Sequence, residues 1–156
     1  MAVSLPPFQA LLDAHRADVY RFIVALVGPQ EAEDCFQDTF LAALRAYPDL
    51  RDARNLRAWL FTIAHRKAMD SHRARVRRPE PVEQVPDREA APRPERDPAL
   101  WEMVRGLPPK QRTAVIARYV NDLPYREIAR IVGGSEEAAR RNAADGVKKL
   151  REAWRG

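Results

Sequence analysis

The segment PYREIARIVGGSEEAARRNAADGVKKLR, residues 124–151, contains the pattern that decides the fold. Its first part predicts a short helix with Ile128 and Val132 on its apolar face. Gly133-Gly134 can take the positive φ that ends a helix, and Ser135 is a suitable N-cap for the longer helix that follows. Two helices joined by such a turn form a helix-turn-helix, which can present the start of its second helix to a major groove.

The start of that second helix carries charged and amide side chains suited to DNA. Arginine holds phosphates, and arginine, asparagine and glutamate can read base edges in the major groove. The alternative is a plain helical hairpin with a solvated charged face. The side chains concerned are Glu136, Glu137, Arg140, Arg141 and Asn142.

A proline-rich segment precedes the C-terminal helices. Residues 79–98 hold six prolines among charged residues, with two valines as the only large apolar side chains. This composition predicts a flexible, fairly extended linker, because it offers too little to bury. Beyond it, glycines and prolines divide the chain into helices predicted at 98–105, 109–120, 124–132 and 135–154.

Three further helices are predicted on the N-terminal side. Large apolar residues recur at three- and four-residue steps from Phe8 to Leu26, until Gly28-Pro29 ends the pattern. A second helix is predicted from Glu31 to Tyr47, before Pro48. A third begins after Asn55 as its N-cap and continues into a basic tail.

These patterns predict an all-α fold of two small helical domains joined by the proline-rich linker. Residues 1–78 form the first domain, residues 79–97 the linker and residues 98–156 the domain that contains the helix-turn-helix. A chain of 156 residues is long enough for two such domains, each with a modest core.

Charge is distributed unevenly along the chain, although the formal net charge is only +5. Residues 1–50 carry 3 basic and 7 acidic side chains, whereas residues 51–78 carry 9 and 2. Residues 79–99 carry 3 and 6, and residues 100–156 carry 12 and 7. Two basic blocks separated by an acidic spacer favour two contacts with a polyanion, although solvated helix surfaces would also explain the charge.

The second predicted helix has an acidic stripe. Asp34, Gln37 and Asp38 follow helical steps, with Leu41 next along the same face. Such a stripe could meet a basic helix of a partner, but a solvated helix face explains the same stripe and is the account that periodicity alone favours. The opposite, apolar side is predicted to comprise Cys35, Phe36, Phe40, Leu44 and Tyr47.

Several classes of protein are disfavoured by the sequence. A single cysteine excludes an intrachain disulfide, and no apolar run approaches the roughly 18 residues of a membrane span. No signal-peptide pattern begins the chain, so a cytoplasmic protein without membrane insertion is expected. No metal-ligand spacing, phosphate loop or nucleophile motif appears, so we expect no cofactor and no enzymatic activity.

Taken together in order, the segments resemble a known family. Their order resembles that of the extracytoplasmic-function sigma factors of the bacterial sigma-70 family. The segments, in order, are AEDCFQDTFLAAL, LRAWLFTIAHRKAMDSHRARVRR, the proline-rich spacer, LPPKQRTAVIARYV and the helix-turn-helix. The resemblance covers residues 8–78 and 98–153. It implies a protein that binds core RNA polymerase and promoter DNA and directs transcription initiation, with an anti-sigma factor as a further partner.

The resemblance assigns roles to the N-terminal domain. In the family the acidic helix binds the clamp helices of polymerase, which implicates Asp34, Gln37 and Asp38. The following loop, Asp49 to Asn55, and the next helix open the minus 10 element, and a loop beside Trp59 and Phe61 could accept an unstacked base, although Trp59 is more simply a core residue. The implied minus 10 residues are Arg54, Asn55, Arg57, Thr62, His65, Arg66, Lys67, Asp70 and Arg73.

The resemblance also assigns the helix-turn-helix to the minus 35 element. The sequence departs from the family pattern here, because Ala139 and Ala143 replace larger aliphatic residues and Asp145 stands where a basic residue is frequent. Gly146 lies inside the helix, where glycine costs about 1 kcal/mol relative to alanine. The implied minus 35 residues are Ser135, Glu136, Glu137, Arg140, Arg141, Asn142 and Lys148.

Two other functions fit parts of the sequence. A sigma-like decoy or adaptor could occupy an anti-sigma factor without binding DNA, but it would not need the basic block at residues 51–78. A helix-turn-helix transcriptional regulator could bind duplex DNA without polymerase, but the acidic helix would then be unexplained.

Overall fold

The computed structural model describes residues 5–77 and 97–155, with side chains for all of these except residues 72–77 and 155. Helices and turns account for every regular element in these two ranges, which confirms the predicted all-α fold. The 3-10 turn Tyr47–Asp49 lies between the second and third helices. The helices are α1 (Phe8–Val27), α2 (Pro29–Ala46), α3 (Leu56–Arg77), α4 (Pro98–Arg105), α5 (Pro109–Tyr119), α6 (Tyr125–Val132) and α7 (Glu136–Arg155).

The first three helices pack around an aromatic core. Gly28, with φ 89°, separates α1 from α2, and Pro29 occupies the first turn of α2, where its missing N–H costs nothing. Phe22 of α1 and Phe61 of α3 are fully buried, with ring centroids 4.9 Å apart. Full burial of a phenylalanine contributes about 1.5–3 kcal/mol, so this pair anchors α3 against α1.

Asn55 is the N-cap of α3, as predicted. Its Oδ1 accepts a hydrogen bond from the backbone N–H of Ala58 at 3.0 Å. The alanines at 58, 64 and 68 are buried, and their small side chains let α3 approach its neighbours closely. Further along α3, the Ser71 hydroxyl donates to the Glu31 carboxylate at 2.8 Å and ties α3 to α2.

The turn between α6 and α7 has the predicted helix-turn-helix geometry. Gly133 and Gly134 both have positive φ, 89° and 98°. The Ser135 hydroxyl accepts a hydrogen bond from the backbone N–H of Ala138 at 3.0 Å, which confirms the N-cap. Ile128 of α6 is fully buried and fixes this helix in the core.

Gly146 has a packing role that the sequence did not indicate. A Cβ atom at this position would lie 2.5 Å from Cγ2 of Val115 in α5. Non-bonded carbon atoms do not approach that closely, so a side chain at residue 146 would force Val115 or the helices to shift, and glycine lets α7 lie this close to α5. The conformational cost expected from the sequence is therefore offset by close helix packing.

The N-terminal and C-terminal helices touch each other directly. The guanidinium of Arg105 donates to the backbone carbonyl oxygens of Val24 and Ala25, both at 3.2 Å, near the end of α1. The side-chain amide of Asn121 donates to the carbonyl oxygen of Asp18 at 2.8 Å. The helices therefore form one contiguous core across the two sequence segments.

Two predictions about organisation remain predictions. The proposed linker, residues 79–97, lies almost entirely outside the described residues, and nothing tests the division into domains at 78 and 98. None of the described helices is both long enough and apolar enough to span a membrane.

Candidate nucleic-acid and protein interfaces

The outer face of α2 carries the predicted acidic stripe. Asp34, Gln37 and Asp38 are exposed, and Leu41, next along the face, is 51% exposed. Leu44 was predicted on the apolar side and is also 51% exposed, so that prediction was wrong. Its position follows Leu41 by three residues, which places it on the outer face at the end of the helix.

The inner face of α2 holds the stripe in a fixed orientation. Phe36 packs edge-on against Tyr20 of α1 at 5.3 Å and lies 4.7 Å from Phe40, measured between ring centroids. Cys35 is buried, and its burial, followed by the nearby charge of Asp38, raises the pKa of the thiol to about 12. The acidic face is therefore presented by a well-packed helix.

The loop before α3 is held by a local ion pair. The Arg54 side chain donates to both carboxylate oxygens of Asp52, at 3.0 and 2.8 Å. These hydrogen bonds lower the pKa of Asp52 to about 2. Residues 51–54 line an open surface depression, so backbone and side chains of this loop are accessible to a ligand.

The two aromatic residues beside the loop differ in accessibility. Phe61 is fully buried against Phe22, so its ring is closed to a base, and capture of an unstacked base by the adjoining loop stays a prediction. Trp59 is half-buried and packs 6.0 Å from the ring of Tyr47, which supports its simpler interpretation as part of the core. The positions of these two residues along the helix do not show how deeply each ring is buried, because burial depends on how the neighbouring helices pack.

Most of the remaining minus 10 candidates form a mixed surface along α3. Arg66 and Asp70 are exposed, whereas Lys67 is half-buried. Thr62 is half-buried, and its hydroxyl donates to the carbonyl oxygen of Ala58 at 2.7 Å. Arg73 lies on α3, and its side chain is outside the described residues.

His65 faces the C-terminal helices and is half-buried. Burial lowers its pKa to about 4, and the nearby charges of Arg112 in α5 and Arg66 act in the same direction. The imidazole is therefore neutral at neutral pH, and it cannot hold a phosphate by charge in this arrangement.

Asn55 and Arg57 both bind one carboxylate from the C-terminal helices. The Asn55 side-chain amide donates to Oε1 of Glu127 at 3.1 Å. The Arg57 guanidinium donates to both Glu127 oxygens, at 3.1 and 2.7 Å. Sequence reasoning missed Glu127, because nothing local in YREIA shows that its partners lie 70 and 72 positions earlier.

The start of α7 carries most of the predicted minus 35 residues on its surface. Arg140 lies 5.0 Å from the ring centre of Tyr125 and 3.5 Å from the Glu136 carboxylate, so two contacts orient it. Asn142 is half-buried, while Ala139 and Ala143 are buried and therefore belong to the core. Exposed on α7 or just before it are Ser135, Glu136, Glu137, Arg140, Arg141, Asp145 and Lys148.

Comparison with known proteins identifies both sequence segments. Residues 11–78 match the family described as Sigma-70 region 2, and residues 98–150 match Sigma-70, region 4. SigD of Mycobacterium tuberculosis, named an ECF RNA polymerase sigma factor, is 33% identical over 157 residues, which cover 91% of this chain and 74% of that protein. CarQ of Myxococcus xanthus, named an RNA polymerase sigma factor, is 30% identical over 159 residues, which cover 93% of this chain and 87% of that protein.

Solved structures share the fold. The sigma factor RpoE from Bartonella quintana, crystallised with the anti-sigma factor NepR, superposes with a TM-score of 0.76 at 22% identity, covering 97% of this chain and 98% of that one. CnrH, in complex with the cytosolic domain of CnrY, gives a TM-score of 0.71 at 21% identity, covering 94% and 86%. The two sigma-70 regions, the curated relatives and the shared fold agree: the chain belongs to the extracytoplasmic-function sigma factors of the sigma-70 family, which direct RNA polymerase to promoters.

Proposed function

We propose that the chain docks on core RNA polymerase through the outer face of α2. The observation that carries this proposal is the exposure of Asp34, Gln37 and Asp38 beside two exposed leucines, Leu41 and Leu44. Carboxylates can pair with a basic partner helix, while exposed leucines add apolar area at the centre of such a contact. The half-exposed leucines distinguish this face from an ordinary solvated helix surface.

The basic parts of the chain are proposed to contact promoter DNA. In this proposal residues 1–78 hold the minus 10 element, residues 98–156 hold the minus 35 element, and residues 79–97 join them. Arg66 and Lys67 on α3 and the exposed Arg140 and Arg141 at the start of α7 support two separate contacts with phosphates. The chain acts without enzymatic activity of its own, in the cytoplasm, where polymerase and chromosome are found.

An anti-sigma factor is the further partner that we propose. The relatives RpoE and CnrH were both solved in complexes, with NepR and with CnrY. A protein that covers the α2 face or the DNA-binding surfaces would prevent docking on polymerase or promoter. Such a partner would control when this chain is active.

The docking proposal is tested by charge reversal. We expect Asp34→Lys with Asp38→Lys to weaken binding of the full chain to core polymerase by tenfold or more, on the order of the coupling of close charge pairs at interfaces. Binding is measured by fluorescence anisotropy, and run-off transcription on genomic promoter fragments measures function. The control, Asp13→Lys with Glu152→Lys, changes the net charge equally at exposed positions outside the α2 face.

The outcomes separate the possible functions. Loss of polymerase binding in the α2 variant alone supports the docking face. Equal binding in both variants would contradict it. A chain that binds duplex DNA but never core polymerase would be an ordinary helix-turn-helix regulator, and one that binds an anti-sigma factor but neither polymerase nor DNA would be a decoy.

A further inference from the structure

Glu127 is a buried carboxylate at the contact between the N-terminal and C-terminal helices. It lies on α6, within the helix-turn-helix, and is only 5% exposed. Both of its oxygens accept hydrogen bonds from side chains at the start of α3, namely Asn55 at 3.1 Å and Arg57 at 3.1 and 2.7 Å. This is a bidentate, charge-assisted contact, the strongest kind of polar contact between side chains.

The electrostatics show that the contact favours the charged form of Glu127. Burial alone would raise the pKa of a carboxyl group, yet the pKa of Glu127 is lowered, because the hydrogen bonds from Arg57 and Asn55 outweigh burial. Separation of the helices would leave this carboxylate without those donors. The ionised form of Glu127 therefore stabilises the closed arrangement, in addition to the hydrogen bonds that Arg105 and Asn121 donate across the same two groups of helices.

The same donors are also needed elsewhere. Asn55 and Arg57 belong to the proposed minus 10 surface, where they would meet phosphates or base edges. A guanidinium that binds a carboxylate with both N–H groups cannot bind a phosphate in the same way at the same time. Occupation by Glu127 and occupation by DNA therefore exclude each other.

We propose that Glu127 is an intramolecular latch that occupies Asn55 and Arg57 in place of promoter DNA and so holds the free chain in a closed, DNA-refractory state. The latch rests on the proposed function, since it assumes that the start of α3 binds DNA. DNA binds only the open state, so DNA shifts the equilibrium toward opening. The apparent DNA affinity of the free chain is the affinity of the open state multiplied by the fraction of chains that are open, and the latch lowers that fraction.

Opening is measured first, without DNA. The substitutions Ala46→Cys and Lys149→Cys introduce two labelling sites at exposed positions, and a fluorophore is attached to each. The native Cys35 stays unlabelled at neutral pH, because it is buried and its pKa is raised to about 12. We expect Glu127→Gln to lower energy transfer and to reduce the closed-to-open ratio by roughly tenfold, as expected for loss of a hydrogen-bonded charge. Glu152→Gln, which removes an exposed carboxylate, is the matched control and should leave transfer unchanged.

A double-mutant cycle identifies the partner. Arg57→Gln should open the chain as Glu127→Gln does, and the double variant should open it little further, because the two side chains act through one interaction. DNA binding is then measured with a fluorescent single-stranded oligonucleotide of mixed sequence. Glu127→Gln should tighten binding several-fold more than Glu152→Gln does, and this gain should disappear when Arg57 is also replaced.

Unchanged energy transfer in Glu127→Gln would overturn the latch. So would opening without any gain in DNA binding in a chain that binds DNA, since the contact would then hold the helices together without obstructing DNA. If no variant bound the oligonucleotide or initiated transcription with core polymerase, the proposed function would fail. The inhibitory part of the latch would fail with it, and the energy-transfer measurement would still decide whether Glu127 closes the chain.

Discussion

At the scale of single residues, Gly146 gives the sharpest prediction about stability. In an ordinary helix, glycine to alanine stabilises by about 1 kcal/mol. Here Gly146→Ala should instead lower the free energy of unfolding by about 1–3 kcal/mol, because its Cβ would meet Cγ2 of Val115 at 2.5 Å. Urea unfolding measures the change, and a stabilised Gly146→Ala variant would contradict this account.

A second substitution shows whether that cost comes from the proposed contact. Val115→Ala removes the methyl group that an alanine at 146 would strike. Gly146→Ala should therefore cost less in the Val115→Ala background than in the original chain. Equal costs in both backgrounds would place the strain elsewhere in the helix.

His65 predicts how stability depends on pH. Its pKa is about 4 in the folded chain, compared with an ordinary value of 6.5, so the unfolded chain binds more protons between these two values. Stability should therefore be full above pH 6.5 and fall as the pH drops toward 4, by up to about 1.4 kcal/mol per pH unit for one group. Urea unfolding at pH 7 and pH 5 tests this, and His65→Gln should flatten the dependence.

Two neighbouring groups also respond to acid. The pKa of His15 is lowered by burial and then by the charge of Arg57, so His15 adds to the same loss of stability at acid pH. Its contribution should remain in the His65→Gln variant. Glu127, whose pKa is lowered, adds its own loss of stability only below the ordinary carboxyl range. A pH dependence identical in the original chain and in His65→Gln would show that His65 is not the responsible group.

At the scale of the helices, boundaries were predictable and contacts were not. Prolines, glycines and the caps Asn55 and Ser135 mark helix ends by local geometry, so the predicted ends differ from the observed ones by only a few residues. Leu44, Gly146 and Glu127 were misread or missed, because their environment is set by other helices. The acidic stripe was predictable because exposure on α2 follows from its own periodicity.

The first turns of α7 give a prediction about duplex DNA. Arg140→Ala with Arg141→Ala should weaken binding to a minus 35 duplex and reduce its dependence on salt, since both side chains are exposed and can neutralise phosphates. Arg66→Ala with Lys67→Ala should leave that binding nearly unchanged and reduce promoter opening, measured by permanganate reactivity of unpaired thymines. Equal loss of both activities in both double variants would refute separate roles for α3 and α7.

At the scale of the whole molecule, the closed contact predicts a change of shape on promoter binding. Two promoter elements about two helical turns apart are separated by roughly 70 Å of DNA. The start of α3 and α6 now lie within hydrogen-bond distance of each other, joined by Arg57 and Glu127. Core polymerase with promoter DNA should therefore lower energy transfer between labels at Ala46 and Lys149, and unchanged transfer in an active complex would contradict the prediction.

The buried thiol of Cys35 limits how the molecule can sense its surroundings. Thiolates, rather than neutral thiols, react with peroxides and disulfides, and burial with a pKa raised to about 12 keeps this group protonated. With one cysteine in the chain, no internal disulfide can form to record an oxidant. Cys35 is therefore poorly suited to react with oxidants, and a redox response of this chain would depend on another side chain or on another molecule.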